Sequence, residues 1–463
     1  MATFSVIKRS ALEGSLRIDA QYYQEKYISN RNRICRFKCV RLGDISSVFR
    51  KGIFDIKASS YTDDGIPFVR IINLKDGLID DSEIVHIPVD IHLKESKTAL
   101  TKGDIILSKT AYPAASLVTL DICNTSQDTI AIKLSDFWRN KLYSGYLVAF
   151  LNSFYGLLLL EQWFQGNIQM HLSLPDAKRV LIPIFKEEYQ QIIDNMWWEA
   201  SKKRELAKLL YCQAEQILLS ELGLLDWKPR RTLTYVRSFN QVAKASRMDA
   251  EHFHPKYKEM FDRLPSNVYL QLLGKITLYT KGIEVGSSAY TESGIPFLRV
   301  SNLSKHGIVD DTVNFISNEL YNVLREKYEP QQGEILLSKD ATPGIAYFLD
   351  ESVQGIIASG ILRLSLIEDI PPYYLELVLN SIFVQLQIEQ SVGGSIIKHW
   401  KPSQVQKTWI PRLLADREKE ISALVQQSHA ARREAKTLLE KAKRAVEIAI
   451  EYGEQQAMDF LCK

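Results

Sequence analysis

Arg70 and Asn73 place a guanidinium and a carboxamide close together in the chain, and Arg299 and Asn302 repeat the pair. These are the side chains whose donors and acceptors match the major-groove edges of guanine and adenine. Ser108 and Lys109, and again Ser338 and Lys339, end β-like runs with a hydroxyl and an ammonium suited to phosphate oxygens. Two loops, "QGNIQMH" ending at His171 and "VGGSIIKHW" ending at Trp400, add Gln169, His171, Lys398 and His399. One polar set present twice points to a binding chemistry exercised twice.

Catalytic alternatives are weaker. His86, His92, His252, His254 and His306 are scattered, and no Ser, His and Asp set or carboxylate pair recurs at a catalytic spacing. Paired aspartates do recur, Asp80 with Asp81 and Asp310 with Asp311. Each pair follows a glycine turn that it is expected to cap or solvate, a nuclease metal site being the alternative. "DIPPYY", Asp369 to Tyr374, has the outline of an adenine methyltransferase tetrad, but Ile370 stands where a polar side chain should grip the exocyclic amine. Its prolines read as a helix entry before Tyr373. A GxxxxGK[ST] phosphate loop is absent. Cys35, Cys39, Cys123, Cys212 and Cys462 are odd in number and lack zinc spacing, so reduced thiols, no metal and a cytoplasmic setting are expected.

The elements that must position these groups follow from the repeat. "GIPFVRIINL" at residue 65 returns as "GIPFLRVSNL" at residue 294, an offset of 229. One inserted residue then brings Gly77 onto Gly307. "RIDAQYYQEKY" matches "RMDAEHFHPKY", "KGDIILSK" matches "QGEILLSK", "LNS" recurs at Leu151 and Leu379, and "IPIF" matches "IPRL". A period this long makes each copy a domain rather than a solenoid repeat. With 463 residues, 46% of them hydrophobic, the chain can bury two cores, and its net charge of +3 permits a nucleic-acid partner without requiring one.

Short β-like runs bounded by Gly, Asp and Asn, followed by helices, predict a mixed α/β (α+β) domain in each copy. "YLVAFLNSFYGLLLL" is too short for a bilayer and carries Asn152, so it is expected to be a buried helix rather than a membrane span. After each domain the pattern becomes helical. Tyr189, Ile193, Met196, Ala200, Ala207, Leu210, Ala214 and Ile217 form one seam, interrupted at Lys203. Ile421, Val425, Ala435, Leu439, Ala442, Val446 and Ala449 form the other, interrupted at Ser428 and Arg432. The expectation is two tandem recognition domains, the first at 1–185 and the second, with the linker that leads into it, at 224–413. Two long helices, 186–223 and 414–463 with a C-terminal tail, would pair as an antiparallel coiled coil with pseudo-twofold symmetry. At 1.5 Å rise per residue each helix is about 50 Å long, or about 15 base pairs of duplex.

In this order and duplication the motifs resemble the specificity (S) subunit of type I restriction-modification systems, over nearly the whole chain. The resemblance implies a non-catalytic subunit that reads a split, asymmetric site in double-stranded DNA. It also implies methyltransferase (modification) subunits that use S-adenosylmethionine on adenine, a restriction and translocase subunit that uses ATP and Mg, and no cofactor in this chain. Two half-sites of different sequence need two different readers, so discrimination should fall where the copies differ, as at Tyr112 against Thr342, and Gln169 with Met170 against Ile397 with Lys398. The alternatives are a specificity-like protein of another defence system, a metal-dependent nuclease, or a scaffold that binds no DNA.

Overall fold

The computed structural model describes residues 6–9, 12, 17–166, 170–230, 232–309, 313–392 and 398–462. They group into two compact units, 1–205 with 431–463, and 206–430.

In the first unit, strands β1 (Ser46–Lys51), β2 (Ile66–Val69), β3 (Ile105–Ser108), β4 (Ala115–Leu117), β5 (Ile122–Thr125) and β6 (Thr129–Leu134) carry the motifs. The main sheet runs β1-β6-β3-β4 and continues into the short strands Leu78–Ile79 and Leu74–Lys75. Strands β2 and β5 pair in parallel in a second sheet. β3 and β6 are hydrophobic on both faces because both are covered. Ile105, Leu107, Ile130 and Ile132 belong to one core and Ile106 and Ala131 to another, the alternation a strand imposes.

Helices α1 (Ser144–Leu151) and α2 (Phe154–Trp163) follow, bent by 71° at their junction. The recurring "LNS" is that junction. Asn152 Nδ2 donates to the Ala115 carbonyl at 2.7 Å, and its Oδ1 accepts from the Ala115 N–H at 3.2 Å, tying the helix corner to β4. Ser153 caps α2 by accepting from the Gly156 N–H. Among the described residues no single helix is long and apolar enough to cross a membrane. Every residue of α1 after Ser144 is buried in the core.

The second unit repeats this plan with β7 (Thr277–Lys281), β8 (Ile295–Leu298), β9 (Ile335–Ser338), β10 (Ala346–Phe348), β11 (Ile356–Ile357) and β12 (Ile361–Leu366). Its main sheet runs β7-β12-β9-β10, and β8 pairs in parallel with β11. Helices α4 (Pro372–Asn380) and α5 (Ile382–Ser391) meet at Asn380, which bonds both backbone groups of Ala346 as Asn152 bonds Ala115. "DIPPYY" is a helix entry, with Pro371 at the N-cap of α4.

The two long helices are α3 (Glu187–Glu221) and α6 (Ala415–Tyr452), with α7 (Glu454–Leu461) after a glycine. Each unit contains a part of both, and in each unit the parts pack together. In the first, Tyr189, Ile193, Trp197 and Ala200 share a core with Ala435, Leu439, Ala442, Val446 and Ala449. In the second, Tyr211, Ala214 and Leu218 share one with Ile421 and Val425. Within the second unit Ala207 meets Ser428 and Glu221 pairs with Arg417, and within the first Lys186 meets Glu454 and Lys203 pairs with Glu434, so in each unit one helix rises as the other falls: the pairing is antiparallel. Two of the polar interruptions of the seam bond across it: Lys203 to Glu434, and Ser428 Oγ, which donates to the Ala207 carbonyl at 2.6 Å. On α3 the buried stripe departs from the sequence pattern. Trp197, Tyr211 and Leu218 are buried where Met196, Leu210 and Ile217 were expected and are only partly covered. The tail packs on the first unit, where Glu454 accepts from the Lys186 N–H and Ala457 is buried.

Candidate nucleic-acid interface

Antiparallel pairing fixes which loops share an end of each main sheet. Lys51 closes β1 opposite Ile130 at the start of β6, Ser108 closes β3 opposite Thr129, and Ala115 opens β4 opposite Leu107. The loops after β1 and β3 and the turns before β4 and β6 therefore lie side by side. In the second unit the ends of β7 and β9 and the starts of β12 and β10 are arranged alike.

The recurring serines build one of these loops. Ser108 Oγ donates to the Tyr112 carbonyl at 2.6 Å and accepts from the Ala114 N–H at 2.8 Å. Ser338 does the same with Thr342 and Ile345. The turn they close holds Ala111 and Ala341 at φ near +60° (62° and 60°), a conformation an L-residue adopts only when its surroundings impose it. Both serines are wholly buried, so they shape the loop rather than face a partner.

Next to this turn lies the second predicted loop. The Ala111 N–H donates to the Met170 carbonyl, the Leu172 N–H donates to the Lys109 carbonyl, and Thr110 bridges to His171. In the second copy Ala341 donates to Lys398, Trp400 donates to Lys339, and Asp340 bridges to His399. Lys109, Tyr112 and His171 are thus brought together in one unit, and Lys339, Thr342, Lys398 and His399 in the other. Tyr112, Thr342, His171, Lys398 and His399 are exposed, Lys109 is half-buried and Lys339 is buried. Gln169 and Ile397 lie outside the described residues.

Arg70 and Asn73 form the third piece. Asn73 Oδ1 accepts from the Arg70 N–H at 2.9 Å and its Nδ2 donates to the Asp80 carbonyl at 3.0 Å. Asn302 repeats both bonds with Arg299 and Val309. Asn73 and Asn302, at 2% and 1% exposure, are committed to the backbone. Arg70 is half-buried, and its Nη2 donates to the Glu83 carbonyl at 2.9 Å. Tyr112 Oη reaches the Ile71 carbonyl at 3.5 Å, which joins this loop to the serine turn. In the second copy a side chain at Gly360 would press on Val300 and approach Asp340, the same adjacency. Replacing Asn73 by Ala leaves two buried backbone groups short of a partner and should cost about 1–3 kcal/mol. Urea denaturation of the variant would measure it.

Two features escaped sequence reasoning. The first is Asp340, whose carboxylate holds His399 Nδ1 at 2.8 Å and the Lys339 ammonium. Burial pushes this carboxyl up, but the bonds from Lys339 and His399 outweigh it and hold it below the usual range. Its counterpart Thr110 is neutral and buried, so a search for recurring residues passes it over. The second is "KGI", at Lys51–Gly52–Ile53 and Lys281–Gly282–Ile283. Gly52 lies against the Ser126 carbonyl and Gly282 against that of Ala358, where an added Cβ would come within 2.2 Å. The close approach brings Lys51, with Phe54 under its ammonium at 4.5 Å, beside the turn that precedes β6. Periodicity of "KGI" was the available signal.

The aspartate pair of the first copy serves a turn. Asp80 accepts from Lys75 Nζ at 2.8 Å and from the Ser82 N–H at 3.1 Å. Burial raises its pKa, but the Lys75 and Ser82 bonds prevail and bring it down to about 2. A carboxylate depressed in the folded state stabilises above its unfolded pKa, near 3.9, and loses that contribution as pH falls towards 2. The urea midpoint of the wild type should therefore drop more steeply between pH 4 and 2 than that of Asp80→Asn; equal slopes would show the bonds idle. Asp310 and Asp311 lie outside the described residues. Among the described residues no cluster of three His, Cys, Asp or Glu could hold a metal ion.

No protein-family model matches the chain, and no curated protein sequence matches it either. Solved structures do. The crystal structure of a type I restriction-modification S subunit from M. genitalium is 13% identical, over 92% of this chain and 96% of that one, at a TM-score of 0.39. The HsdS subunit from Thermoanaerobacter tengcongensis is 16% identical, over 88% of this chain and 96% of that one, at 0.27. A chain from a structural study of complex assembly and conformational transition in the type I R-M system is 18% identical, over 90% of this chain and 98% of that one, at 0.28. Over about nine tenths of its length this chain is similar to solved structures from type I restriction-modification systems, two of them named as S (HsdS) subunits.

Proposed function

We propose that this chain is the specificity subunit of a type I restriction-modification complex. It reads a split, asymmetric site in double-stranded DNA and directs adenine methylation and restriction by partner subunits. The observation that carries the reading is the pair of loop clusters. Their buried polar side chains, Ser108 with Asn73 and Ser338 with Asn302, are wired identically, while the side chains around the histidine common to both (His171 and His399) differ, Tyr112 against Thr342 and Met170 against Lys398. A fold kept constant beneath altered surface groups is what two readers of two different half-sites require. Tyr112 and His171, with Gln169, are the base-reading candidates of the first cluster, and Thr342, Lys398 and His399 those of the second. Arg70, Lys109 and Arg299 are assigned to phosphates and groove edges.

In this reading the chain performs no chemistry. S-adenosylmethionine belongs to the methyltransferase subunits, and ATP with Mg to the restriction subunit, all in the cytoplasm. The test is co-expression with the methyltransferase encoded beside it, followed by long-read mapping of modified adenines. A two-part motif with a fixed gap is the expected result. A methyltransferase that co-purifies yet marks no fixed motif would replace the DNA reader with a protein scaffold.

A further inference from the structure

We infer that the first unit holds a binding pocket for a phosphate group, formed by Arg31, Arg41 and Arg179 beside Tyr22 and Trp163. The pocket lies outside the loop clusters of the DNA-reading proposal, and only its duplex outcome rests on that reading. The cavity has a volume of about 170 Å³ and is completed by Leu159, Gln162 and Leu181. Local structure brings the three arginines together. Arg31 lies on the helix Glu25–Ile34, Arg41 pairs with Leu181 across two short antiparallel strands, and Arg179 precedes Leu181 in the turn before its strand. The Arg179 guanidinium stands 5.8 Å from the centre of the Trp163 ring, and Arg17 stands 4.5 Å from that of Tyr22.

Two orphaned atoms call for an anion here. Nη1 of Arg179 and the hydroxyl of the wholly buried Tyr22 are both shielded and have no hydrogen-bond partner. Buried donors left unmatched are costly and rare, and a shared acceptor in the cavity would satisfy both. Among the described residues no carboxylate pairs with Arg41 or Arg179, whereas Arg17 is matched by Asp19. Asp176, the nearby acid, accepts from Ser173 and Gln165 instead. A cavity lined by Arg179 and Arg41, with Arg31 beside them, matches the several oxygens and double charge of a phosphate better than one planar carboxylate. The second copy lacks the set. Leu272 stands at the place of Arg41, since each precedes the same Leu-Gly corner, and Ser391 stands at the place of Trp163. The pocket is therefore not a by-product of the repeated scaffold.

The phosphate could be free and small or part of a nucleic-acid backbone, and one experiment separates the two. The full chain is melted in increasing inorganic phosphate at constant ionic strength, with Arg41→Gln and Arg179→Lys beside it. A saturable rise in Tm in the wild type, with affinity at least about tenfold weaker in both variants, assigns a small phosphate. If phosphate has no effect but both variants weaken binding of a duplex and reduce its salt dependence by about one ion each, the phosphate is that of the DNA backbone. Arg41 is exposed, so its variant should fold. If both variants fold and neither measurement separates them from the wild type, the pocket binds no phosphate and the inference is overturned.

Discussion

Changing Tyr112 and His171 together to alanine is expected to relax one half of the methylated motif and leave the other half unchanged. Removing the side chains that read one base edge should cost about 1–3 kcal/mol in discrimination, so the double change should lower methylation of the cognate half-site about 5- to 150-fold relative to its single-base neighbours. Lys398→Ala with His399→Ala should do the same to the opposite half. The exposed positions make this a clean comparison, because the serines and asparagines that build the loops are untouched. Uniform weakening of all sites, with a shallower salt dependence, would instead assign these side chains to phosphates. An unchanged motif in both double variants would remove them from the interface.

The second large effect concerns stability. Arg363 grips Glu334 at 2.6 and 3.0 Å and donates to the Lys327 carbonyl, and Ser365 and the Gln331 N–H also bond to that carboxylate. Both side chains are about nine-tenths buried. Arg363→Ala leaves a buried carboxylate without its counter-charge and should cost about 3–5 kcal/mol, a large part of the roughly 5–15 kcal/mol available to a domain. The corresponding acid of the first unit, Asp104, has Lys133 and Arg139 at 3.4 and 3.5 Å, and Arg139 is half exposed. Arg139→Ala should therefore cost about 1 kcal/mol or less. Glu334→Gln with Arg363→Met should recover most of the loss. A single-variant cost below about 1 kcal/mol in urea denaturation would show the pair to be dispensable.

Much of the scaffold was readable because the chain states it twice. The "LNS" corner, the Arg and Asn loop and the serine turn recur as motifs because each secures backbone groups that would otherwise be buried without a partner. Recurrence alone does not tell a buried asparagine from one that meets a partner. Asn73, Asn302, Ser108 and Ser338 carry groups that suit DNA, yet their hydrogen bonds go to their own backbone. Asp340 was invisible for the opposite reason, being present in only one copy. On α3, Trp197 is buried in place of Met196 because it answers to a distant residue. Its indole N–H donates to the Gly77 carbonyl at 3.0 Å, and a side chain at Gly77 would strike the ring. No local periodicity encodes such a partner, whereas α6, lined by small and aliphatic residues, kept the heptad seam.

The division of the chain also sets an order of events during synthesis. The second unit is one unbroken segment, 206–430, and has its whole core in hand before the last stretch is made. The first unit begins the chain but needs Ala435, Leu439, Ala442, Val446 and Ala449 to cover Tyr189, Ile193 and Trp197. Emerging first, it finishes last. For the time a ribosome takes to add more than two hundred residues, at about 5–20 per second, an apolar face awaits its own C-terminus. Loss of the second half of α6, from Ala435 onward, would therefore uncover the core of the copy farthest from it in sequence.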